Sequence, residues 1–291
     1  MPELPQVEAL VQFLDENTRG LEILALDLSS IAALKTFDPP IESLVGRTVV
    51  SWSRRGKYLC CDTAGEWLVI HLAKAGWIKW RVQMGDQKPP ASSKGRGRGP
   101  LALRIELEGG LGLDVTEMGT QKRLAIWVVS DPSEVEGIST LGIEPLDPEF
   151  TVDRLQEILS SETGTIKTVI SRQSAIAGIG NAYSDEALHA AHLSPFKAAN
   201  RLKPDEVSAL HQAIVSTVTE AAGRAAGLAA SELKGDKKRA MRVHGRTGEK
   251  CPECGDTVRE VSFATRSLQY CPTCQTGGKP LADRRLSRLL K

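Results

Sequence analysis

The sequence predicts an α+β chain of several domains. An N-terminal helix and a β-sandwich fall over residues 1–135, a helical domain over 150–240, and a four-cysteine module over 245–291. Three observations carry this reading. The hydrophobic period changes from that of strands to that of helices near residue 150. Four of the six cysteines gather at the C-terminal end in paired spacing. The charge is unevenly divided along the chain.

Residues 1–18 read as a helix, because Pro2 and Pro5 are tolerated in a first turn and Val7, Leu10, Val11 and Leu14 form one apolar face. From 22 to 130 the pattern is of short strands, as at 22–28, 48–52, 58–62, 67–71, 101–107 and 124–129. Turn signals separate them, which suits a β-sandwich or barrel. Residues 86–100 are rich in Gly, Pro, Ser, Lys and Arg and predict a mobile hairpin loop. A linker follows at 131–150, marked by Asp131-Pro132, Pro145 and Asp147-Pro148. Helical spacing then appears in Val152, Leu155, Ile158 and Leu159, and again in Ile166, Val169 and Ile170. Two more helices are expected at 184–192 and 204–225, before a basic, polar stretch at 226–250.

Composition excludes some classes. With 41% apolar, 25% charged and 4% aromatic residues, the chain is too balanced for disorder, and its cores must rest on Leu, Ile, Val and Ala. No apolar run approaches the ~18 residues of a membrane span. Met1-Pro2-Glu3-Leu4-Pro5 lacks the basic and apolar regions of a signal peptide. The expectation is a cytoplasmic monomer in a reducing compartment, nucleoid-associated if bacterial, with no membrane partner. The net charge of +1 conceals an asymmetry: residues 231–291 hold 14 Lys and Arg against 7 Asp and Glu, leaving the rest at −6. A basic end on an acidic body suits a polyanionic partner, although a solvated basic tail has the same composition.

Cys60 and Cys61 lie in an apolar run and read as structural thiols. Cys251, Cys254, Cys271 and Cys274 form C-x2-C, 16 residues, C-x2-C. That spacing can close a tetrahedral S4 site around one structural Zn2+.

The N-terminus offers chemistry of its own. With Met1 removed, Pro2 presents a secondary amine. An α-amine titrates near pH ~8 rather than ~10.4, so more of it is unprotonated at neutrality than of a lysine. Attack of that amine on a sugar C1′ gives an iminium ion, an electron sink for displacing a base and eliminating phosphates. Glu3 beside it can act as general acid and base. On residues 1–8 alone, a plain helix start is the simpler reading. Ala177-Gly178-Ile179-Gly180-Asn181 is a glycine-rich turn opening a helix, which can hold a phosphate or be an ordinary tight turn. Zinc would stiffen the loop carrying Arg266, just before the second cysteine pair.

Together these segments resemble the formamidopyrimidine-DNA glycosylase / endonuclease VIII family of base-excision repair enzymes. Pro2-Glu3-Leu4-Pro5-Gln6-Val7-Glu8 is similar to the family's opening Pro-Glu-Leu-Pro-Glu-Val-Glu. The stretch from Ala177 through Asn181 to Asp185-Glu186 resembles its helix–two-turn–helix signature, and the last 41 residues its zinc finger. Arg54-Arg55-Gly56-Lys57-Tyr58 matches as well. The resemblance implies a helix–two-turn–helix DNA-binding domain at 150–240. It implies a DNA glycosylase with β,δ-elimination lyase activity at abasic sites, acting on damaged duplex or single-stranded DNA. Pro2 would be the nucleophile on a flipped nucleotide, with Glu3 and Lys57 in the catalytic set. Lys57, Asn181 and Arg266 would grip phosphates; read bare, they are a strand-edge lysine, a helix cap and an exposed arginine. His71 opens a stretch similar to the family's His-Leu-Gly-Met-Ser-Gly and reads as structural.

The sequence also departs from that pattern. Gln6 replaces a second acidic residue. Lys74 stands where a methionine would fill the hole left by an extruded base. Asp114-Val-Thr-Glu-Met118-Gly119 replaces Asp-x-Arg-Arg-Phe-Gly, so Met118 would be the apolar wedge and the intercalating arginine is absent. The rival expectation is therefore a catalytically weak or inactive paralogue that binds damaged or distorted DNA.

Overall fold

The computed structural model describes residues 1–82, 100–263 and 266–282. Two compact units divide the chain: Met1–Thr140 with Ala225–Leu233, and Leu141–Arg224 with Lys234–Lys291. The loop expected at 86–100 lies, but for Pro100, outside the described residues, as does Thr265 in the loop before Arg266.

The first unit opens with helix α1 (Leu4–Thr18). Its start is a capping box: the Glu3 side chain accepts from the Gln6 backbone N–H, and Gln6 Oε1 accepts from the Glu3 N–H at 3.3 Å. Val7, Leu10, Val11 and Leu14 are buried, as their spacing predicts. Two four-stranded antiparallel sheets follow. One has the order β1 (Ile23–Leu28), β6 (Leu101–Leu107), β7 (Leu111–Glu117), β5 (Gly76–Val82). The other runs β2 (Ser51–Arg55), β3 (Tyr58–Asp62), β4 (Trp67–His71), β8 (Ala125–Val129). Leu59, Cys61, Leu68 and Ile70 of one sheet share a core with Leu103, Ile105, Leu113 and Val115 of the other and with α1, which makes this a sandwich. Each such side chain is worth roughly 1.5–3 kcal/mol of burial. Trp52 anchors α1 to β2: its N–H donates to Asp15 at 2.8 Å and its indole Nε1–H to Thr18 Oγ1 at 2.9 Å.

The strand expected at 48–52 begins at Ser51 instead, because Thr48 and Val49 bridge back to the chain around Glu22 and Leu21. Strands β5 and β7 lack a clean apolar signature. Between them and β6 lies a charged ladder, Arg81 to Glu106 and Asp114, and Arg104 to Asp114, all at 2.7–3.0 Å. Gly76 is required at the start of β5: a Cβ there would lie 2.1 Å from the Leu72 carbonyl oxygen. Burial pushes the Cys60 thiol up to about 12 and raises that of Cys61 as well, which keeps both protonated and unreactive.

A short helix α2 (Glu136–Ser139) ends the first unit's main segment. The second unit carries α3 (Val152–Ser160), α4 (Ile166–Ile170), α5 (Asn181–Ala190) and α6 (Pro204–Ala225, whose last residue counts with the first unit). Thr151 and Thr165 cap α3 and α4 through their side chains. Helix α5 begins at Asn181, three residues before the expected start. The stretch read only as basic and polar contains a further helix, α7 (Leu233–Ala240), whose Lys237 ammonium stands 4.9 Å over the Tyr183 ring. The hairpin β9 (Arg259–Ser262) and β10 (Ser267–Tyr270) and the short helix α8 (Pro272–Thr276) complete the four-cysteine module. Among the described residues, no helix is long and apolar enough to cross a membrane.

Candidate functional site

In the first unit, Pro2 and Glu3 are both buried at the head of α1, Glu3 with 2% of its surface exposed. Gln6, in place of a second acidic residue, makes the reciprocal hydrogen bond of the capping box with Glu3. One turn further on, Glu8 Oε2 accepts from Arg54 Nε at 2.7 Å, and Arg54 Nη1 donates to the Gly56 carbonyl at 3.0 Å. This strap fixes the β2–β3 turn against α1. That turn needs Gly56 at φ 55° and carries Lys57, whose side chain is only 5% exposed. His71 lies across from Tyr58 in the β3–β4 register, with ring centroids 4.7 Å apart. Burial, with the Lys57 charge second, pushes His71 down to about 4. Sequence reading took His71 as structural, yet it stands within electrostatic reach of Lys57.

Met118 is 60% exposed at the end of β7, and its N–H donates to the Ala75 carbonyl at 3.1 Å, beside the exposed Lys74. The two residues before it turn inward. Thr116 Oγ1 donates to the Trp77 carbonyl at 3.2 Å. The buried Glu117 carboxylate accepts from the Arg123 and Leu124 N–H groups at 2.8 and 3.0 Å.

In the second unit, the glycine-rich turn is held by Gln173, which accepts from Gly178 N–H at 3.0 Å and donates to the Ile179 carbonyl at 2.6 Å. Gly178 sits at φ 85°, where a side chain would be strained. Asn181 Nδ2 donates to the Ser267 carbonyl at 2.8 Å, the residue after Arg266. Arg266 is exposed; its carbonyl accepts from Phe263 N–H at 2.8 Å, and its guanidinium lies 5.8 Å from the Phe263 ring. Asn181 and the Arg266 hairpin are thus joined.

Behind them lies a buried ionic network that sequence reading missed. Lys167 Nζ donates to Asp185 Oδ1 at 2.6 Å, Ser184 Oγ at 2.8 Å and the Asn181 carbonyl at 3.0 Å. Asp185 Oδ2 pairs with His244 Nδ1 at 2.8 Å. Glu186 accepts three backbone N–H bonds from Arg242, Val243 and His244 at 2.7–3.0 Å. The available signal was a lysine inside the apolar helix α4 and an Asp-Glu pair inside α5.

The four cysteines converge as their spacing predicts. Their sulfurs all lie within 4.8 Å of one another, and none is in a disulfide. Cys251 and Cys274 are 3.8 Å apart, Cys254 and Cys271 3.3 Å. A zinc tetrahedron with Zn–S of ~2.3 Å has S···S edges near ~3.8 Å, so the set fits one structural zinc.

An α1–β-sandwich opening on Pro-Glu, a helical unit with a glycine-rich turn and a four-cysteine hairpin together define a class of zinc-finger DNA-repair fold. Comparison with known proteins bears this out part by part. Residues 1–119 match the formamidopyrimidine-DNA glycosylase N-terminal domain, 141–231 its H2TH domain, and 248–277 the zinc finger found in FPG and IleRS. The chain is 58% identical, over 151 residues, to an uncharacterized formamidopyrimidine-DNA glycosylase-like protein of Mycobacterium tuberculosis, covering 52% of this chain and 94% of that protein. It is 31% identical over 285 residues to the formamidopyrimidine-DNA glycosylase of Pelotomaculum thermopropionicum, covering 94% of this chain and 99% of that one. The Lactococcus lactis formamidopyrimidine-DNA glycosylase, solved with DNA containing an abasic site, superposes with a TM-score of 0.80 at 26% identity, covering 94% of this chain and 99% of that chain. The chain belongs to the formamidopyrimidine-DNA glycosylase family.

Proposed function

We propose that this protein is a DNA glycosylase that also cleaves the strand at the abasic site, with Pro2 as nucleophile. The observation that carries the reading is the head of α1: Pro2 and Glu3 buried side by side, with the Lys57 turn strapped to the same helix through Glu8 and Arg54. The free Pro2 amine attacks C1′ of a flipped, damaged nucleotide and the base departs with the electrons of its C1′–N bond; loss of the amine proton and opening of the C1′–O4′ bond then leave an iminium ion at C1′. Glu3 protonates the sugar oxygen. Removal of the C2′ proton then expels the 3′ phosphate, and a second elimination expels the 5′ phosphate. Lys57, Asn181 and Arg266 grip phosphates around the lesion. The zinc holds the hairpin that presents Arg266. Met118 enters the stack from which the nucleotide is removed.

With Thr116 and Glu117 standing where the family pattern has arginines, that strand offers no cation beside Met118 to read the opposite base, so lesion recognition depends weakly on it. The protein acts as a monomer in the cytoplasm, at the nucleoid in a bacterium; light scattering of the DNA complex tests the stoichiometry. Borohydride trapping on abasic-site DNA tests the chemistry. A covalent adduct through the N-terminal proline is expected, and acetylation of the amine abolishes it. Tight DNA binding with no adduct would favour the rival reading, a damage-binding paralogue without turnover.

A further inference from the structure

The zinc site has a neighbour outside its own module. His189 lies in the last turn of α5 and is fully buried, and its Nε2 is 3.3 Å from Cys251 Sγ. Its other ring nitrogen, Nδ1, has no hydrogen-bond partner among the described residues; the nearest carboxylate oxygen, Glu253 Oε1, is 3.8 Å away. That asymmetry decides the tautomer. With the proton on Nδ1, the Nε2 lone pair would face a negatively charged sulfur, and the N–H would point at an acceptor beyond hydrogen-bonding distance. With the proton on Nε2, the N–H points at the sulfur and only an uncharged lone pair is left without a partner. A zinc ion with four thiolates is doubly negative, and N–H donors to its sulfurs offset that charge where water cannot reach.

We propose that His189 donates a hydrogen bond from Nε2 to the Cys251 thiolate and is a positioning residue of the zinc site. Helix α5 is then tied to the zinc module at both ends. Asn181, its first residue, donates to the Ser267 carbonyl. His189, its ninth, donates to a metal-bound sulfur. The metal holds the hairpin and, through the same bonds, the helix from which Asn181 projects. Glu253, in the Cys251–Cys254 knuckle, closes the back of this contact. Arg242 Nη1 and His192 Nε2 lie 3.5 and 3.7 Å from its carboxylate.

The test compares the zinc-loaded full chain with His189→Phe, which keeps the bulk and removes the donor, and His189→Gln, which restores an N–H near the Nε2 position. Zinc content of the parent is measured first; a parent without metal removes the zinc reading itself. Zinc transfer to a chromogenic chelator should be ~10-fold faster or more in H189F, the usual scale for losing such a partner, and return toward the parent in H189Q. Iodoacetamide mapping should show Cys251 selectively faster in H189F. Equal transfer rates, or acceleration of all four cysteines alike, overturn the proposal. Should H189F fail to fold, the parent loaded with cadmium-113 gives a second measurement. A through-bond correlation between the metal and the His189 Nε2 proton is expected, and an imidazole proton uncoupled from the metal overturns the proposal.

Discussion

Lys167→Met is the most demanding test of the second unit. The lysine is 6% exposed and Asp185 1%, so the pair is out of water. Removing Nζ deletes three hydrogen bonds and leaves the Asp185 carboxylate buried with two donors, His244 Nδ1 at 2.8 Å and the Gln269 N–H at 3.3 Å. Methionine replaces the stem of the lysine, so packing changes little and the electrostatic loss dominates. Breaking one side of a buried pair costs ~3–5 kcal/mol, mostly the penalty of the charge left behind. For a unit of this size that corresponds to roughly 10 °C or more in the melting temperature. Adding Asp185→Asn to Lys167→Met removes the stranded charge while keeping an acceptor for His244, so the double variant should be more stable than the sum of the singles predicts. The measurement is calorimetric melting of the zinc-loaded protein at neutral pH. A loss below ~1 kcal/mol in K167M, the range of an exposed pair, would refute the account of a desolvated pair.

Arg266→Ala should flatten the plot of log affinity against log salt by about one and weaken all DNA sequences alike, because a phosphate carries no base identity; an unchanged slope by fluorescence anisotropy means that Arg266 touches no phosphate. Folded His71 titrates at about 4 against 6.5 unfolded, so stability should fall as pH drops from 6.5 through 4, where only the unfolded chain takes up the proton. Urea titrations of His71→Asn should show a flatter acid limb, and an unaltered one would count against the depressed value. Zinc chelation should lower the melting of the second unit and spare the sandwich, because Gln275 Nε2 donates to the Leu193 carbonyl at 2.9 Å and Gln269 to Asp185, carrying the loss into the helices. A single transition displaced as a whole would contradict this. Excision from duplexes differing only in the opposite base should proceed at similar rates, and strict dependence on an opposite cytosine would show that another group reads that base in place of the missing arginine.

Much of this architecture was legible because single segments carried their own signal. Strands β3, β4 and β8 are largely apolar runs, β6 alternates apolar with charged residues toward its end, α6 ran as expected from Pro204 to Ala225, and four cysteines in paired spacing have few other uses. Strands β5 and β7 were harder to see because Lys79, Arg81 and Asp114 interrupt their apolar pattern; Lys79 is exposed, and the charges of Arg81 and Asp114 are met by partners on neighbouring strands. Helix α7 was hidden by its basic composition. Contacts across long separations left no local trace. His244 meets Asp185 over 59 residues, and the partner of Asn181 is a backbone carbonyl, which no side-chain pattern encodes.

The Glu8–Arg54–Gly56 strap bears on timing as much as on placement. The proposed chemistry needs a sugar carbon brought to one nitrogen while its phosphate is held elsewhere. If the holder and the attacker wandered independently, each bound strand would spend most of its residence in unproductive registers. One guanidinium shared between the first helix and the Lys57 turn makes their thermal excursions common to both, so the separation survives even when the pair moves. Because a misplacement of about 1 Å can cost ~100-fold in rate, Arg54→Ala should lower turnover while leaving equilibrium DNA binding nearly intact. Single-turnover rates set beside binding isotherms would separate the two, and a loss confined to binding would mean that the strap serves the grip alone.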